Sequence, residues 1–328
     1  TLDRSSAASD VYKRQIYYLS NARLYAALEM ACLDIQGKAT HRSVSDLLGG
    51  SVRDSIPMIA YLFWRYDRPD GKDDTCAEDL ADHCVELHET LGVQAMKLKA
   101  GVMAPDEEAR VLELCRDRLG PGFGLRIDPN GLWSVPTAVR IGRRLEAVAP
   151  EYFEDPSWGL NGNAEVRKQI RIPIATNMYP AKFDDLAPAI RMGSVDIVLT
   201  DIHYWEGPRG VKDLAAVCRT FNLGVAMHSG AEFGIELAAM LHTASTIPEM
   251  SFAGDAHYHY LVDDITTTGL MKYRDGAIEV PRGPGLGVEL DPEKMDKYER
   301  FFEEKGDYYA RFHADPRRPD WYPVVGGT

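Results

Sequence analysis

Six short apolar runs, each closing on a strongly polar residue, recur along this chain at a near-constant interval. They lie at 95–99, 125–128, 152–154, 174–177, 197–201 and 225–228. The steps from Lys99 to Asp128, Glu154, Asn177, Asp201 and His228 are 29, 26, 23, 24 and 27 residues. Between the runs, apolar residues at helical spacing predict helices over 77–91, 105–118, 135–148, 163–169, 182–191, 209–221 and 231–244. A strand-helix unit of this length, repeated, closes into a parallel β/α barrel. Polar residues at the C-terminal ends of barrel strands converge on one mouth. An apolar, aromatic run at 56–63 suits the first barrel strand, and the eighth is expected near 257–261.

The remainder of the chain sorts around this core. Residues 1–15 are polar and aperiodic, read as vector-derived or misassembled sequence with a native, disordered tail as the alternative, and set aside from the fold reading. A strong helix signal spans 16–38, and Leu47–Gly50 closes that segment as a turn. The barrel is assigned to 51–262. The segment 263–328, with Gly and Pro turns and a helix over 292–304, is expected to pack on the barrel rim.

The residue types at the strand ends carry chemistry. Asp128, Glu154 and Asn177 offer hard oxygen ligands from three successive strands, which suits Mg²⁺. A neutral amide in the third place leaves the site less negative than three carboxylates, which favours a diacid. Lys97 and Lys99 lie two apart on one strand and share a face. Each ammonium is expected to depress the other's pKa, bringing a lysine base toward neutral pH. Asp201 and His228 end adjacent strands, where the carboxylate would fix the imidazole tautomer. Taken singly, each has a bland reading: a Lys-x-Lys strand end is usually solvated, and Asp128–Gly131 is a good turn sequence. Seven such residues at regular strand ends argue against coincidence.

Charge and cysteine content narrow the partners. A net charge of −13 argues against a nucleic-acid partner. It would also repel an anionic substrate, a conflict that a bound divalent cation resolves locally. No run of about 18 apolar residues suggests a membrane span. Five scattered cysteines without CxxC spacing read as reduced thiols of a cytoplasmic protein.

The segments MKLKAGV (96–102), RIDPNGLWS (126–134), YFEDP (152–156), IATNMYPAKFDDL (174–186), VDIVLTDIHYW (195–205) and MHSGAEFGIELA (227–238) bring a family into view. The chain resembles the enolase superfamily, in its mandelate racemase-like group, and within that group the glucarate dehydratases. The resemblance covers nearly everything after residue 20. It implies a (β/α)7β TIM-type barrel with only a remnant of the α+β capping domain, placed at 16–50. It implies Asp128, Glu154 and Asn177 as Mg²⁺ ligands, Lys99 as the base on one side and the Asp201–His228 dyad on the other. Lys97 would help polarise a substrate carboxylate. Asn130, His203 and His257 would line the substrate pocket. The implied reaction is dehydration of a mono- or diacid sugar, in which His228 removes the proton α to a carboxylate and then protonates the departing β-hydroxyl. The product is a 2-keto-3-deoxy acid sugar.

Two departures from the family pattern stand out. Nearly all of the capping domain is missing, which puts closure over the mouth in doubt. Glucarate dehydratases usually read HSN where this chain has His228-Ser229-Gly230, so an amide is lost at the mouth. Two other readings stand beside dehydration: an epimerase, racemase or cycloisomerase using the same acid/base pairs, and a capless barrel that binds Mg²⁺ without turnover. The open rim of a capless barrel is also compatible with a homo-oligomer. The remaining motifs read as structure. His257-Tyr-His259 lies too late in the barrel for an HxH metal site, and Gly283–Gly287 is a turn. His242 and the Trp residues at 133, 158 and 205 are packing, with Trp205 also a pocket candidate.

Overall fold

Ser20–Thr40 forms α1 in the computed structural model, which describes residues 20–65, 73–230 and 232–305. The leader 1–15, residues 16–19 of the expected first helix and the tail 306–328 lie outside the described residues. Ala26 and Leu33 of α1 are fully buried, and burying a leucine contributes about 1.5–3 kcal/mol. A short helix α2, Val44–Leu47, follows behind a capping box in which the Ser43 hydroxyl accepts from Asp46 N and the Asp46 carboxylate accepts from Ser43 N.

The barrel sheet is parallel and runs in sequence order: β2 (Ala60–Leu62), β3 (Ala95–Lys99), β4 (Gly124–Asp128), β5 (Tyr152–Glu154), β6 (Ile174–Thr176), β7 (Ile197–Thr200) and β8 (Gly224–Met227). Helices α3 (Ala77–Leu91), α4 (Pro105–Leu119), α5 (Val135–Leu145), α6 (Gly159–Arg167), α7 (Phe183–Met192), α8 (Pro208–Thr220) and α9 (Gly234–Ser245) cover its outer face. Register explains the polarity of the interior. Lys97 pairs with Arg126 and Lys99 with Asp128, so all four point inward. The alternating Met96, Leu98, Leu125 and Ile127 point outward and join Leu80, Leu112 and Ile141 of the helices in one core cluster. The apolar positions thus hold the helical shell, and the charged ones are left to the barrel axis.

Two strand expectations are corrected. The run at 56–63 is not one strand. Ser55–Pro57 (β1) pairs antiparallel with β10 (Ala277–Glu279), which pairs with β9 (Tyr273–Arg274), and β2 enters the barrel only at Ala60. Pro57 lacks a backbone donor, which is tolerated on this edge strand. The eighth stave is not at 257–261, where Tyr258–Tyr260 is a 3-10 turn. Its place is taken by residues 250–255, bonded on one side to β8 and on the other to the chain before β2. Asp255 N donates to Met227 O at 3.0 Å, and Gly254 N donates to Pro57 O at 2.8 Å. Sparse bridging of this kind carries no run of β-formers, so the sequence signal for it is faint.

The remaining chain ties α1 to the barrel. Helix α10 is Pro292–Lys305. The turn at 283–287 has positive φ at Gly283, Gly285 and Gly287. A Cβ on Gly285 would fall 2.2 Å from Asp34 Oδ1, so glycine is required for the approach to α1. Leu286 N donates to Asp34 Oδ1 at 2.8 Å, and His242 Nε2 donates to Leu286 O at 3.1 Å. His242 is therefore packing, as read from the sequence. Glu29 of α1 accepts from Arg209 N at 3.1 Å and pairs with the Arg209 guanidinium at 2.9 Å. Gly207 leaves room for that carboxylate at the start of α8. No described helix is long and apolar enough to cross a membrane.

Candidate active site

Each expected strand-end residue closes its strand or follows it by one position. Lys99, Asp128 and Glu154 end β3, β4 and β5, and Asn177, Asp201 and His228 directly follow β6, β7 and β8. Apart from Lys99, which is partly open, these side chains are nearly or fully buried.

Lys99 Nζ lies 2.6 Å from Asp128 Oδ2, and Asp128 Oδ1 accepts from Asn130 N at 2.9 Å. Asn130 adopts φ 51° in the Asp128–Gly131 turn, a conformation asparagine tolerates better than most residues. Lys97 Nζ donates to Glu154 Oε2 at 2.8 Å and is paired with Asp255, with the Tyr61 ring 4.8 Å away. Lys97 does oppose the Lys99 charge, but the expectation that a lysine is thereby brought toward neutral pH is corrected. Burial works against both charges, but Asp255 and Glu154 hold Lys97 well above its ordinary value, and Asp128 does the same for Lys99. The attraction of a carboxylate at contact outweighs the repulsion of the next ammonium.

Glu154 is the least settled charge here. Burial, then the neighbouring Asp128 charge, push its carboxyl well above the usual range. Among the described residues, neither Glu154 Oε1 nor Asn177 Oδ1 has a hydrogen-bond partner, although both are buried. Two orphaned oxygens beside a pair of carboxylates are what a hard cation would satisfy. No three His, Cys, Asp or Glu side chains among the described residues form a ready metal cage. The site offers two acids and an amide.

The amide is aimed by its neighbours. Asn177 Nδ2 donates to His228 Nε2 at 2.9 Å, which turns Oδ1 away from the imidazole. His228 Nδ1 in turn donates to Asp201 Oδ2 at 2.8 Å. This pair of bonds specifies the Nδ1–H tautomer, with the lone pair on Nε2. Burial opposes the Asp201 charge, but hydrogen bonds from His203 and His228 outweigh it and hold that carboxyl well below its usual range. His203 Nδ1 lies 3.1 Å from both Asp201 Oδ1 and Glu236 Oε1. His257 sits edge-on to Tyr61, with centroids 4.4 Å apart. Its Nε2 has no partner among the described residues. Burial, then the charges of Lys99 and His228, lower its pKa well below the ordinary value. Trp205 is fully buried against Phe183, so it belongs to the core and not to the pocket.

With this geometry in place, comparison with known proteins is decisive. A model described as "Enolase C-terminal domain-like" matches residues 79–294. The chain belongs to the enolase superfamily. A model of the "Mandelate racemase / muconate lactonizing enzyme, N-terminal domain" matches residues 1–49. The chain is 41% identical over 309 residues to a "Probable glucarate dehydratase" of Streptomyces coelicolor, covering 90% of this chain and 71% of that protein. It is 26% identical over 292 residues to a chloromuconate cycloisomerase of Cupriavidus pinatubonensis, covering 88% and 76%. Among solved structures, it matches an enolase from Pseudomonas fluorescens with bound magnesium, potassium and tartrate. That match has a TM-score of 0.84 at 36% identity and covers 92% of this chain and 73% of that one. The superfamily barrel expected from the strand ends is thus present, and relatives of this enolase superfamily member carry more than one named activity.

Several residues of the site were not singled out in the sequence. Asp255 pairs with Lys97 and, at 3.2 Å, with Arg126. It closes residues 250–255 and would have stood out had the eighth stave been placed there. Asp155 accepts from Asn177 N at 3.1 Å and from Asn163 Nδ2 at 3.2 Å, and so braces the loop that carries Asn177. Its signal was the second acid of YFEDP. Glu232 is buried beside Ser229, whose hydroxyl donates to it. Burial, then the charge of Glu236, push its carboxyl up to about 8. Such a raised acid contributes full stability below the unfolded value near 4.5, and the contribution is lost as pH rises through about 8. The expected outcome is that Glu232→Gln gains stability relative to the unaltered chain between pH 5 and pH 9. Urea midpoints measured at both ends of that range check it, and a constant difference would exclude Glu232 as a source of pH dependence.

Proposed function

We propose that this enolase superfamily member is a magnesium-dependent acid-sugar dehydratase. The observation that carries the reading is the pair of orphaned oxygens, Glu154 Oε1 and Asn177 Oδ1, the second on an amide that is hydrogen-bonded to an oriented histidine base. Asp128, Glu154 and Asn177 would hold the cation. Bound there, Mg²⁺ supplies positive charge for a substrate carboxylate and for the negative charge that develops when the α-proton leaves.

The chain's own groups do the rest. His228 Nε2 receives the α-proton while Asp201 balances the charge gained by the ring. The same Nε2–H then protonates the departing β-hydroxyl, which leaves as water, and the enol product tautomerises to the 2-keto-3-deoxy acid. Lys97 is buried in contact with Glu154 and Asp255, and its proposed part in polarising the substrate carboxylate would act from there. Lys99 ends β3, which is separated from β8 around the barrel by residues 250–255 and β2. Asn130, His203 and His257 ring the same mouth and are proposed as substrate contacts.

The cycloisomerase relative supports a second reading, because Lys99 and His228 together would also serve racemisation, epimerisation or cycloisomerisation. A semicarbazide end-point assay over mono- and diacid sugars separates the two, since dehydration alone yields a 2-keto acid. Metal-dependent turnover that EDTA abolishes is expected. Magnesium at 100 times its Kd should also stabilise the fold by about 2.7 kcal/mol, read as a rise in Tm that EDTA reverses. A Tm indifferent to magnesium would sink the cation site itself.

A further inference from the structure

Arg23 is the residue whose placement the proposed chemistry leaves unused. It lies on the exposed side of α1, and its guanidinium stands 5.5 Å from the centroid of the Tyr204 ring. Tyr204 in turn stacks on the His228 imidazole, with centroids 6.2 Å apart. The guanidinium is therefore no more than about 12 Å from the base. Its charge is felt by both His203 and Glu236 at the mouth.

Arg23 differs from the other cations of the mouth. The ammonium groups of Lys97 and Lys99 are each in contact with carboxylates. Among the described residues, Arg23 has no ion-pair partner, only the face of an aromatic ring. That arrangement orients a guanidinium without neutralising it, and leaves its fork of N–H donors open to a planar anion. The nearby acids are otherwise engaged: Asp201 by His228 and His203, and Glu236 by His203.

We propose that Arg23 is a specificity-determining residue that receives the distal carboxylate of a sugar diacid whose other end is held at Asp128, Glu154 and Asn177. This rests on the acid-sugar reading above and narrows it from acids in general to diacids. The guanidinium lies within about 12 Å of the His228 ring, which is itself bonded to Asn177 of the cation site. An extended six-carbon diacid spans roughly 6 Å between its carboxyl carbons at ordinary bond lengths. Hydrogen-bond reach adds roughly 3 Å at each end. The chain's net charge of −13 disfavours a second carboxylate, and a localised cation offsets that repulsion.

The test is equilibrium binding, so it does not depend on turnover. Calorimetric Kd values are measured in magnesium for three matched pairs: glucarate and gluconate, galactarate and galactonate, mannarate and mannonate. In each pair the members differ in whether C6 is a carboxylate or an alcohol. The unaltered chain should favour the diacid in at least one pair by about tenfold or more. Arg23→Gln should remove that preference by weakening the diacid alone, and Arg23→Lys should restore part of it. A preference that survives Arg23→Gln, an equal loss for both members of a pair, or no preference for any diacid in the unaltered chain would each overturn the assignment. If no acid sugar is turned over but Arg23→Gln still erases a diacid preference, the dehydratase reading fails and the role of Arg23 stands.

Discussion

His228→Gln should lower kcat for any accepted acid sugar by about a thousandfold, within the range expected for loss of a general base, and leave KM little changed. The expectation follows from the hydrogen bonds around the ring. Nδ1 is committed to Asp201, which leaves Nε2 as the one basic position of the imidazole, and Asn177 marks the direction in which it faces. Glutamine can keep a contact to Asp201 or to Asn177 but accepts no proton at neutral pH. Steady-state rates in the semicarbazide assay decide the point, and a variant that keeps about a tenth of the rate would assign the base elsewhere. The same variant is informative in D₂O. If Lys99 works from the opposite side, exchange of the α-proton persists there while elimination is lost.

Asp255→Asn should cost about 3–5 kcal/mol of stability, the scale set by removing one partner from a buried ion network. Along the barrel axis Glu154, Lys97, Asp255, Arg126 and Glu151 alternate in sign. Lys97, Asp255 and Arg126 are completely shielded from solvent. Asp255 is the member in contact with two cations, and Arg126 already has one buried nitrogen, Nη2, without a partner. An asparagine keeps the shape and removes the charge, so the loss measures electrostatics and not volume. Urea unfolding gives the number. The exposed pair Arg140–Asp106 provides the control, because Asp106→Asn should cost less than about 1 kcal/mol. If the two substitutions cost the same, the axis is better solvated than its burial indicates.

Much of this architecture was legible because strands and function share positions. Lys99, Asp128, Glu154, Asn177, Asp201 and His228 each mark a strand end, so one periodicity located both the staves and the mouth. The illegible parts are those where contact outruns pattern. Asp255 sits on a stave held by isolated bridges, with no alternating run to announce it. The lysine pair looked mutually repelling because the sequence places Lys97 and Lys99 together but does not reveal that a carboxylate touches each one. Pro57 and Met58, in the middle of an apolar run, gave no hint that the chain changes sheets there. The orientation of Asn177, on which the cation site turns, depends on His228, 51 residues away.

The attachment of α1 has a practical consequence for protein engineering. Glu29 is fastened to Arg209, Asp34 to the backbone of Leu286, and Lys38 to Asp34 and Glu289 at 2.9 and 2.7 Å. These anchors come from the start of α8 and from the 286–289 segment beside α9, and lie on the later turns of the helix, after Arg23. The residue at position 23 could be exchanged for that of a relative without disturbing these anchors, with the barrel as a constant chassis.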